Sequence, residues 1–239
     1  KPGVITVNNQ SITSTLADDF EADDTIISGT ELNYGHLNIN TNNFKLGTEE
    51  VRFDRGAWIS YESSAKYNTN NELSWYVEDY GALVQEASNI EFSGAGNALL
   101  DIANSSGGAG IRLTGGSKAN TGENGINSLT ISGAQYGMIA ETGNKSYVPR
   151  INNRSELTIT ADDLTAASKK NGFYASDSTI TLKGGNFTAN NADRNIWLED
   201  TSTGTVDVNK LNLNNAKYGI LLQTNSNLSV KANALDIQN

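Results

Sequence analysis

Short stretches of alternating apolar and polar residues recur along the chain, and in the last third they recur at a fixed spacing. The alternating pieces are Leu157-Thr158-Ile159, Ile180-Thr181-Leu182, Val206-Asp207-Val208 and Leu228-Ser229-Val230. The apolar positions that follow them, 23 or 24 residues apart, are Leu164, Phe187, Leu211 and Leu235. Alternation buries one side of a strand and leaves the other in solvent. Three such pieces in each 23 or 24 residues therefore predict one triangular turn of a solenoid.

A second, longer repeat supports this interpretation. Residues 129–138 match residues 211–220 in residue class over ten consecutive positions. Within both lies a Tyr-Gly pair followed by two large residues, and this pattern begins at Tyr34, Tyr80, Tyr136 and Tyr218. We expect the four copies to occupy one equivalent position, with each glycine at a corner that needs a positive φ or a close backbone approach. This alignment makes His36 equivalent to Ala82, Met138 and Ile220.

Stacked turns of this kind pair each strand in parallel with the strand one turn later. The sequence thus predicts an all-β fold, a right-handed single-stranded parallel β-helix of about ten coils of 22–24 residues. We expect a cap and entry coils in residues 1–36 and the β-helix in residues 37–239, continuing beyond the last residue. Alternating β and α units lack support, because no run of 10 to 12 residues keeps a helical apolar stripe free of Asn and Gly.

The amino-acid composition argues against several kinds of structure and function. The 32 Asn and 23 Gly residues disfavour helices, and Asn can stack in hydrogen-bonded ladders from coil to coil. The absence of cysteine excludes disulfides and thiolate chemistry, and no apolar run is long enough to span a membrane. With 17 basic and 27 acidic residues the net charge is −10, which argues against nucleic acid as a partner.

Aromatic residues concentrate between residues 51 and 80, and they are the first candidate ligand-binding group. The candidates in this group are Trp58, Tyr61, Tyr67, Trp75 and Tyr76. On an outer face such rings could stack on sugars or enter a protein interface. The alternative interpretation is that the two tryptophans fill a wider part of the core.

An insertion breaks the repeat between Gly137 and Gly172, and it supplies the second candidate group. The extra residues are predicted to project as a loop from the coil, and loops on rigid scaffolds commonly carry recognition. The candidates in and beside this loop are Lys145, Tyr147, Arg150 and Arg154. A merely tolerated insertion is the alternative.

We find no catalytic, metal or cofactor constellation in the sequence. The only histidine, His36, falls on a predicted strand, where it is not an obvious base. The carboxylate pairs 162–163 and 199–200 are adjacent in sequence, so on a strand their side chains point to opposite faces. The acidic group at residues 18–24 lacks the spacing of a known cation loop and is better explained as a solvated cap. We therefore expect no enzyme activity.

Cysteine-free, acidic coils rich in Asn, Gly, Ser and Thr, with strands of the Leu-Thr-Ile and Tyr-Gly-Ile types, resemble the passenger domains of bacterial autotransporters. The resemblance covers residues 37–238 and is shared with other secreted β-helices. It implies export to the bacterial cell surface or medium, and adhesion to a host-cell or bacterial surface protein or glycan, or self-association, by a chain that is not itself membrane-spanning. The alternative is a β-helical polysaccharide lyase or hydrolase.

Overall fold

The computed structural model describes residues 4–16, 25–143 and 153–239. All regular secondary structure in these residues is β, and every strand pair is parallel. In chain order the strands are β1 (Val4–Ser14), β2 (Ser28–Asn33), β3 (His36–Leu46), β4 (Phe53–Ser60), β5 (Ser64–Val84), β6 (Asn89–Ser93), β7 (Asn97–Ile102), β8 (Ala109–Leu113), β9 (Lys118–Asn120), β10 (Ile126–Ser132), β11 (Tyr136–Glu141), β12 (Glu156–Ala167), β13 (Asn171–Ser176), β14 (Thr179–Asn190), β15 (Arg194–Glu199), β16 (Thr203–Asn214), β17 (Tyr218–Leu222) and β18 (Asn227–Gln238).

These strands stack into three faces of a parallel β-solenoid. The first face contains β6, β9 and the first halves of β1, β3, β12, β14, β16 and β18, and the second face contains β7, β10 and the second halves of those long strands. The third face contains β2, β4, β8, β11, β13, β15 and β17. Strand β5 contributes to all three faces in turn. The predicted β-helical fold is thus confirmed.

The solenoid has about eight turns, fewer than the ten predicted. Hydrogen bonds between successive coils join residues 23 or 24 apart in the last third of the chain. Earlier in the chain the corresponding bonds join residues 25 and 29 apart. The prediction extrapolated the short, regular coils of the last third to the whole chain, and the longer coils before them reduce the count.

The core is a set of stacked apolar columns inside the three faces. The predicted column of Leu164, Phe187 and Leu211 is confirmed, because these residues are direct partners in the strand register and are buried. One predicted alignment is wrong by two residues: the partner of Ile180 is Gly204, not Val206. A shift of two keeps the same side of the strand inward, so it leaves the core pattern intact.

A column of glycines lines the corner just after the first position of the third face. Gly81, Gly137 and Gly219 belong to it, and their φ angles are not positive. What they provide is close approach, because a Cβ on Gly137 would lie 2.6 Å from the carbonyl oxygen of Gly172 in the next coil. Three of the four predicted Tyr-Gly copies therefore share one position, as expected.

The fourth copy does not, so the predicted equivalence of His36 with Ala82, Met138 and Ile220 is wrong. Tyr34 follows the end of β2 and lies at a different corner. His36 begins β3 on the first face, where it is paired with Ser64, and its Nδ1 lies 2.6 Å from the Ser64 hydroxyl. The local four-residue match hid this difference, which only the register of the whole coil resolves.

A column of serines fixes the corner between the third and first faces. The backbone N–H of Ser63 donates to the hydroxyl of Ser88, and the N–H of Ser178 donates in the same way to Ser202, at 3.1 Å in both cases. Ser63 and Ser202 in turn donate their hydroxyls to the carbonyl three residues earlier. The other members of this column are Ser117, Ser155 and Ser226. Each hydroxyl in these bonds lies where backbone groups would otherwise lack partners.

Exposed asparagines form the ladders that the composition predicts. The Asn40 amide donates to the Asn8 carbonyl oxygen at 2.9 Å, and Asn68 donates to Asn40 at 3.3 Å one coil later. A parallel ladder joins Asn70 to Asn42 at 3.0 Å. These side chains connect coils on the outside of the rod, so their abundance has a structural explanation.

Candidate functional site

The third face differs from the other two in the residues that it turns outward. Its outward residues form three columns: one before the glycine corner, one three residues later, and one two residues further on that contains Glu141 and Glu199. We call the aromatic and arginine members of these columns the aromatic–arginine stripe: Arg55, Trp58, Tyr80, Arg112, Tyr136, Tyr174, Arg194, Trp197 and Tyr218. The second column also contains Leu83, Ile139 and Leu221.

Two similar Arg–Trp–Gln units lie near the ends of this stripe. In the first, the Arg55 guanidinium carbon is 4.3 Å from the centre of the Trp58 ring, and the indole N–H donates to Gln85 at 3.0 Å. In the second, Arg194 lies 4.2 Å above Trp197, whose N–H donates to Gln223 at 2.9 Å. Cation–π contact and a satisfied indole N–H hold both tryptophans in one orientation.

Between the two units the stripe contains a network of charged and phenolic groups. Arg112 forms an ion pair with Glu141 at 3.0 Å and donates to the Tyr80 hydroxyl at 3.3 Å. Burial lowers the pKa of Arg112, but Glu141 and Tyr80 together outweigh that effect and raise it. The Tyr174 hydroxyl donates to Glu199 at 2.5 Å, and burial together with this carboxylate raises the pKa of Tyr174. The network is therefore a set of fixed charges and a protonated phenol.

Aromatic rings of neighbouring coils also contact each other along the stripe at tilted angles. The Tyr174 and Trp197 ring centres are 4.3 Å apart, and the Tyr136 and Tyr174 centres are 5.9 Å apart. Arg194 lies over one face of the Trp197 ring, and Tyr174 is tilted against the same ring. The stripe therefore offers ring edges and guanidinium groups to a partner.

Two of the predicted binding residues, Tyr67 and Trp75, belong to the core. Both side chains have 0% exposure, and they pack edge-to-face on each other with their ring centres 4.9 Å apart. Phe44 and Phe92 complete this aromatic cluster. The prediction that a ligand binds Tyr67 and Trp75 is wrong, because both side chains are buried inside the solenoid. The alternative interpretation, that the two tryptophans fill the core, is confirmed for Trp75 but not for Trp58, which lies on the outer side of the third face.

The other three aromatic candidates lie at three separate places. Trp58 is in the stripe. Tyr61 stacks on Tyr34 at the next corner, with ring centres 5.2 Å apart. Tyr76 is on the second face, where the Arg52 guanidinium lies 5.8 Å from its ring centre. The structure does not bring these side chains together into one site, so only Trp58 joins the functional candidate described above.

The predictions for the four candidate residues in and beside the insertion have different outcomes. Lys145, Tyr147 and Arg150 lie outside the described residues, and their predicted role in binding stays a prediction. Arg154 lies at a corner and connects coils: it pairs with Asp177 at 2.5 Å and donates to the Thr201 carbonyl oxygen at 3.2 Å. These contacts give Arg154 a structural role.

Eight of the nine stripe residues were absent from the sequence-based candidates. The signal that could have found them is their place in the repeat, because the tyrosines of the Tyr-Gly pattern and the residues three positions later form the first two columns. A second signal is the pattern Asp-Arg-x-x-Trp, which occurs at residues 54–58 and 193–197. Clustering along the sequence favoured residues 51–80 and missed aromatic residues that lie one per coil.

The described residues also contain a polar groove away from the stripe. An open groove of about 770 Å³ lies at the corner between the first and second faces, with polar and charged walls that include Lys66, Glu91 and Asp162. Across the part of the chain that the structure describes, no group of three or more His, Asp or Glu side chains is placed to hold a metal ion. That part also contains no helix with the length and apolarity to cross a membrane.

Comparison with protein-family models, curated proteins and solved structures finds no significant match to this chain.

Proposed function

We propose that this chain is a binding segment of an exported bacterial surface protein, an adhesin that acts through the third face and not as an enzyme. The observation that carries the proposal is the asymmetry of the rod: outward Trp, Tyr and Arg follow one another on a single face over successive coils. These three residue types dominate the energetics of protein interfaces.

A protein partner fits this surface better than a glycan does. Sugar recognition by aromatic residues uses open ring faces, whereas Trp197 is covered by Arg194 on one side and lies against Tyr174. Ring edges and guanidinium groups suit the side chains and carbonyls of a polypeptide. The partner is then a protein on a host or neighbouring cell, or another copy of this chain.

The cellular setting of the proposal rests on the resemblance to autotransporter passenger domains. A cysteine-free, acidic β-solenoid with asparagine ladders suits an exported protein that folds without disulfides. Export to the cell surface or medium is what this resemblance implies.

The test is adhesion by a coated bead or by cells that display the chain. Trp58→Ala combined with Trp197→Ala removes both large anchors of the stripe, and we expect adhesion to fall at least about tenfold, since hot-spot residues each contribute about 2 kcal/mol or more. The matched control is Thr158→Ala combined with Thr205→Ala on the outward side of the first face. Circular dichroism confirms that both variants fold. Undiminished adhesion by the tryptophan variant would reject the third face as the binding surface.

A second candidate function, hydrolysis of a polysaccharide, has one observation in its favour. Glu141 and Glu199 lie in one outward column two coils apart, about 10 Å at the usual strand spacing. Paired carboxylates of inverting glycosidases stand at a similar separation. Incubation with a panel of soluble glycans, assayed for new reducing ends or unsaturated products, decides the matter: turnover that Glu199→Gln abolishes would replace the adhesin proposal.

A further inference from the structure

The two Arg–Trp–Gln units share more than their geometry. Their sequences are Asp54-Arg55-Gly56-Ala57-Trp58 and Asp193-Arg194-Asn195-Ile196-Trp197, so in both an aspartate precedes the arginine. The strand register places them five coils apart, about 24 Å along the rod. The same local sequence therefore occurs twice in the same structural setting, and each copy serves as a reference for the other.

The copies differ in what the aspartate does. In the second unit the Asp193 carboxylate accepts a hydrogen bond from Arg194 Nη1 at 2.7 Å. In the first unit the Asp54 carboxylate instead accepts from the backbone N–H of Ile27 in the previous coil, at 2.6 Å. Asp54 forms no ion pair with Arg55, so the first unit lacks the internal ion pair that the second unit has.

Arg55 is consequently the one arginine of the stripe without a carboxylate among the described residues. Arg112 has Glu141 and Arg194 has Asp193. The Nε and Nη1 atoms of Arg55 are shielded from solvent and have no hydrogen-bond acceptor, while its guanidinium lies between the Trp58 and Tyr80 rings. A guanidinium has five N–H donors in a fixed fork, and leaving shielded donors unpaired is costly. The Nε atoms of Arg112 and Arg194 also lack acceptors, but their charges are paired.

We infer that Arg55 binds a carboxylate of the partner protein, in the place that Asp193 occupies in the second unit. This inference rests on the proposed function of the third face as a protein-binding surface. No hydrogen bond within the described residues engages the Arg55 guanidinium, and its Nη2, unlike Nε and Nη1, is not shielded from solvent, so Nη2 is the atom that an incoming aspartate or glutamate reaches first. Charge-assisted pairs of this kind are the strong hydrogen bonds of interfaces, and the Trp58 ring beneath the guanidinium shields the pair from water.

The experiment titrates the chain with a short peptide that presents one glutamate between leucine and tyrosine, and with its Glu→Gln twin. We expect saturable binding of the glutamate peptide alone, at one site per chain. Arg55→Gln should weaken it by about tenfold or more, since losing one partner of a desolvated charge pair costs at least about 2 kcal/mol. The matched control is Lys45→Gln, which removes one positive charge from an exposed position on the second face.

A second variant tests the inference in the opposite direction. Asp193→Asn removes the internal anion of the second unit while conserving its volume, so Arg194 then resembles Arg55. We expect the peptide stoichiometry to rise from one site per chain to two. This gain cannot arise from misfolding, and calorimetric titration measures it directly.

Three results would overturn the inference. The first is equal affinity of wild type and Arg55→Gln for the glutamate peptide. The second is binding of both peptides alike, which would show that the carboxylate is irrelevant. The third is binding of an acidic oligosaccharide such as oligogalacturonate with neither peptide bound, which would make the anion a sugar acid. If adhesion depends on Trp58 and Trp197 but any of these results holds, the proposed function stands and only the role of Arg55 fails.

Discussion

The third and first faces of this solenoid share one construction on the inside and differ on the outside. Both have inward columns of apolar side chains, such as Phe173 with Ile196 on the third face and Leu157 with Ile180 on the first. Outside, the first face from β5 to β18 has only Asn, Ser, Thr, Lys, Glu and Asp. The third face has the aromatic–arginine stripe.

This difference bears on which substitutions change binding. Burial of the inward columns supplies the hydrophobic driving force, and it is similar for both faces. Threonine favours strands, and outward polar side chains are solvated by water, so the first face needs no partner. The outward rings and guanidinium groups of the third face are not needed to keep that face solvated. We therefore expect substitutions inside the rod to change folding on either face, and substitutions outside it to change binding on the third face alone.

The largest effect should come from a charge placed inside the first face. Ile180→Asp buries a carboxylate without a partner and should lower the free energy of unfolding by at least about 3 kcal/mol. Thr181→Asp, one residue later and facing outward, should lower it by less than about 0.5 kcal/mol. Urea unfolding measures both, and equal losses would show that the alternation of the first face is misassigned.

A smaller loss should follow from adding a methyl group at the corner where the third face begins. Gly137→Ala would put its Cβ 2.6 Å from the Gly172 carbonyl oxygen and 3.2 Å from the Ala166 Cβ, and the coils cannot move apart without loss of strand pairing. We expect a cost of about 2 kcal/mol. Gly107→Ala is the control, because its nearest neighbour would be the Asn104 amide at 3.6 Å. Thermal unfolding of the pair would contradict the close-approach explanation if the two midpoints coincide.

Removing one outward ring of the third face should lower the free energy of unfolding by less than either change inside the rod. It should also lower it more than an outward substitution on the first face does. Trp197→Ala loses the contacts with Arg194 and Tyr174, together about 1.5 kcal/mol. Thr205→Ala, outward on the first face in the next coil, should stay within about 0.5 kcal/mol. The comparison of faces is refuted if the threonine substitution is the more damaging one in chemical denaturation.

The smallest effect concerns pH and the buried Tyr67 on the inner side of the first face. Burial raises the pKa of Tyr67 above its ordinary value of 10.0, so the folded chain keeps this proton after the unfolded chain has lost it. Tyr67 therefore contributes its full stabilisation of the folded chain below pH 10. Above pH 10 the free energy of unfolding declines by up to about 1.4 kcal/mol per pH unit. Tyr67→Phe should flatten the decline.

The measurement is urea unfolding of wild type and Tyr67→Phe near pH 9 and near pH 11. Tyr136 and Tyr174, whose pKa values are also raised, remain in both proteins, so the difference between the two declines isolates Tyr67. Identical declines would mean that Tyr67 ionises without cost in the folded chain.

The sequence was most informative where the coils have constant length. Leu164, Phe187 and Leu211 could be aligned because nothing intervenes to change their spacing. Ile180 was paired with the wrong residue because Gly204 takes an apolar place in the column, and glycine has no hydrophobic signature. Trp75 could have been assigned to the core, since Leu73, Trp75 and Val77 alternate with Ser74 and Tyr76. This alternation, and not the local crowding of aromatic residues, indicates the position of Trp75.

The candidate site was mostly beyond reach of the sequence for a different reason. Tyr174 and Trp197 are neighbours only because coils of 23 residues stack in register, and Arg55 joins Tyr80 through a coil of another length. Residues that contact each other only between successive coils form no cluster along the sequence. The hydrogen bond from the Ile27 N–H to Asp54 is a property of one corner, and the matching sequence around Asp193 gives no hint of it.

The serine column has a consequence for how such a chain tolerates changes in length. Bonds in the column join residues 25 or 29 apart in one part of the rod and 23 or 24 apart in another, yet the corner keeps the same form. Each hydrogen bond of the serine column fixes the position at which one coil ends and the next begins. It does not fix the number of residues in the coil. The extra residues of the 29-residue coil lie between β7 and β8, at the corner between the second and third faces, whereas the longer insertion between Glu141 and Ser155 lies at the serine corner itself. For protein engineering, a foreign loop could be grafted at a corner opposite the serines while the coils above and below keep their alignment.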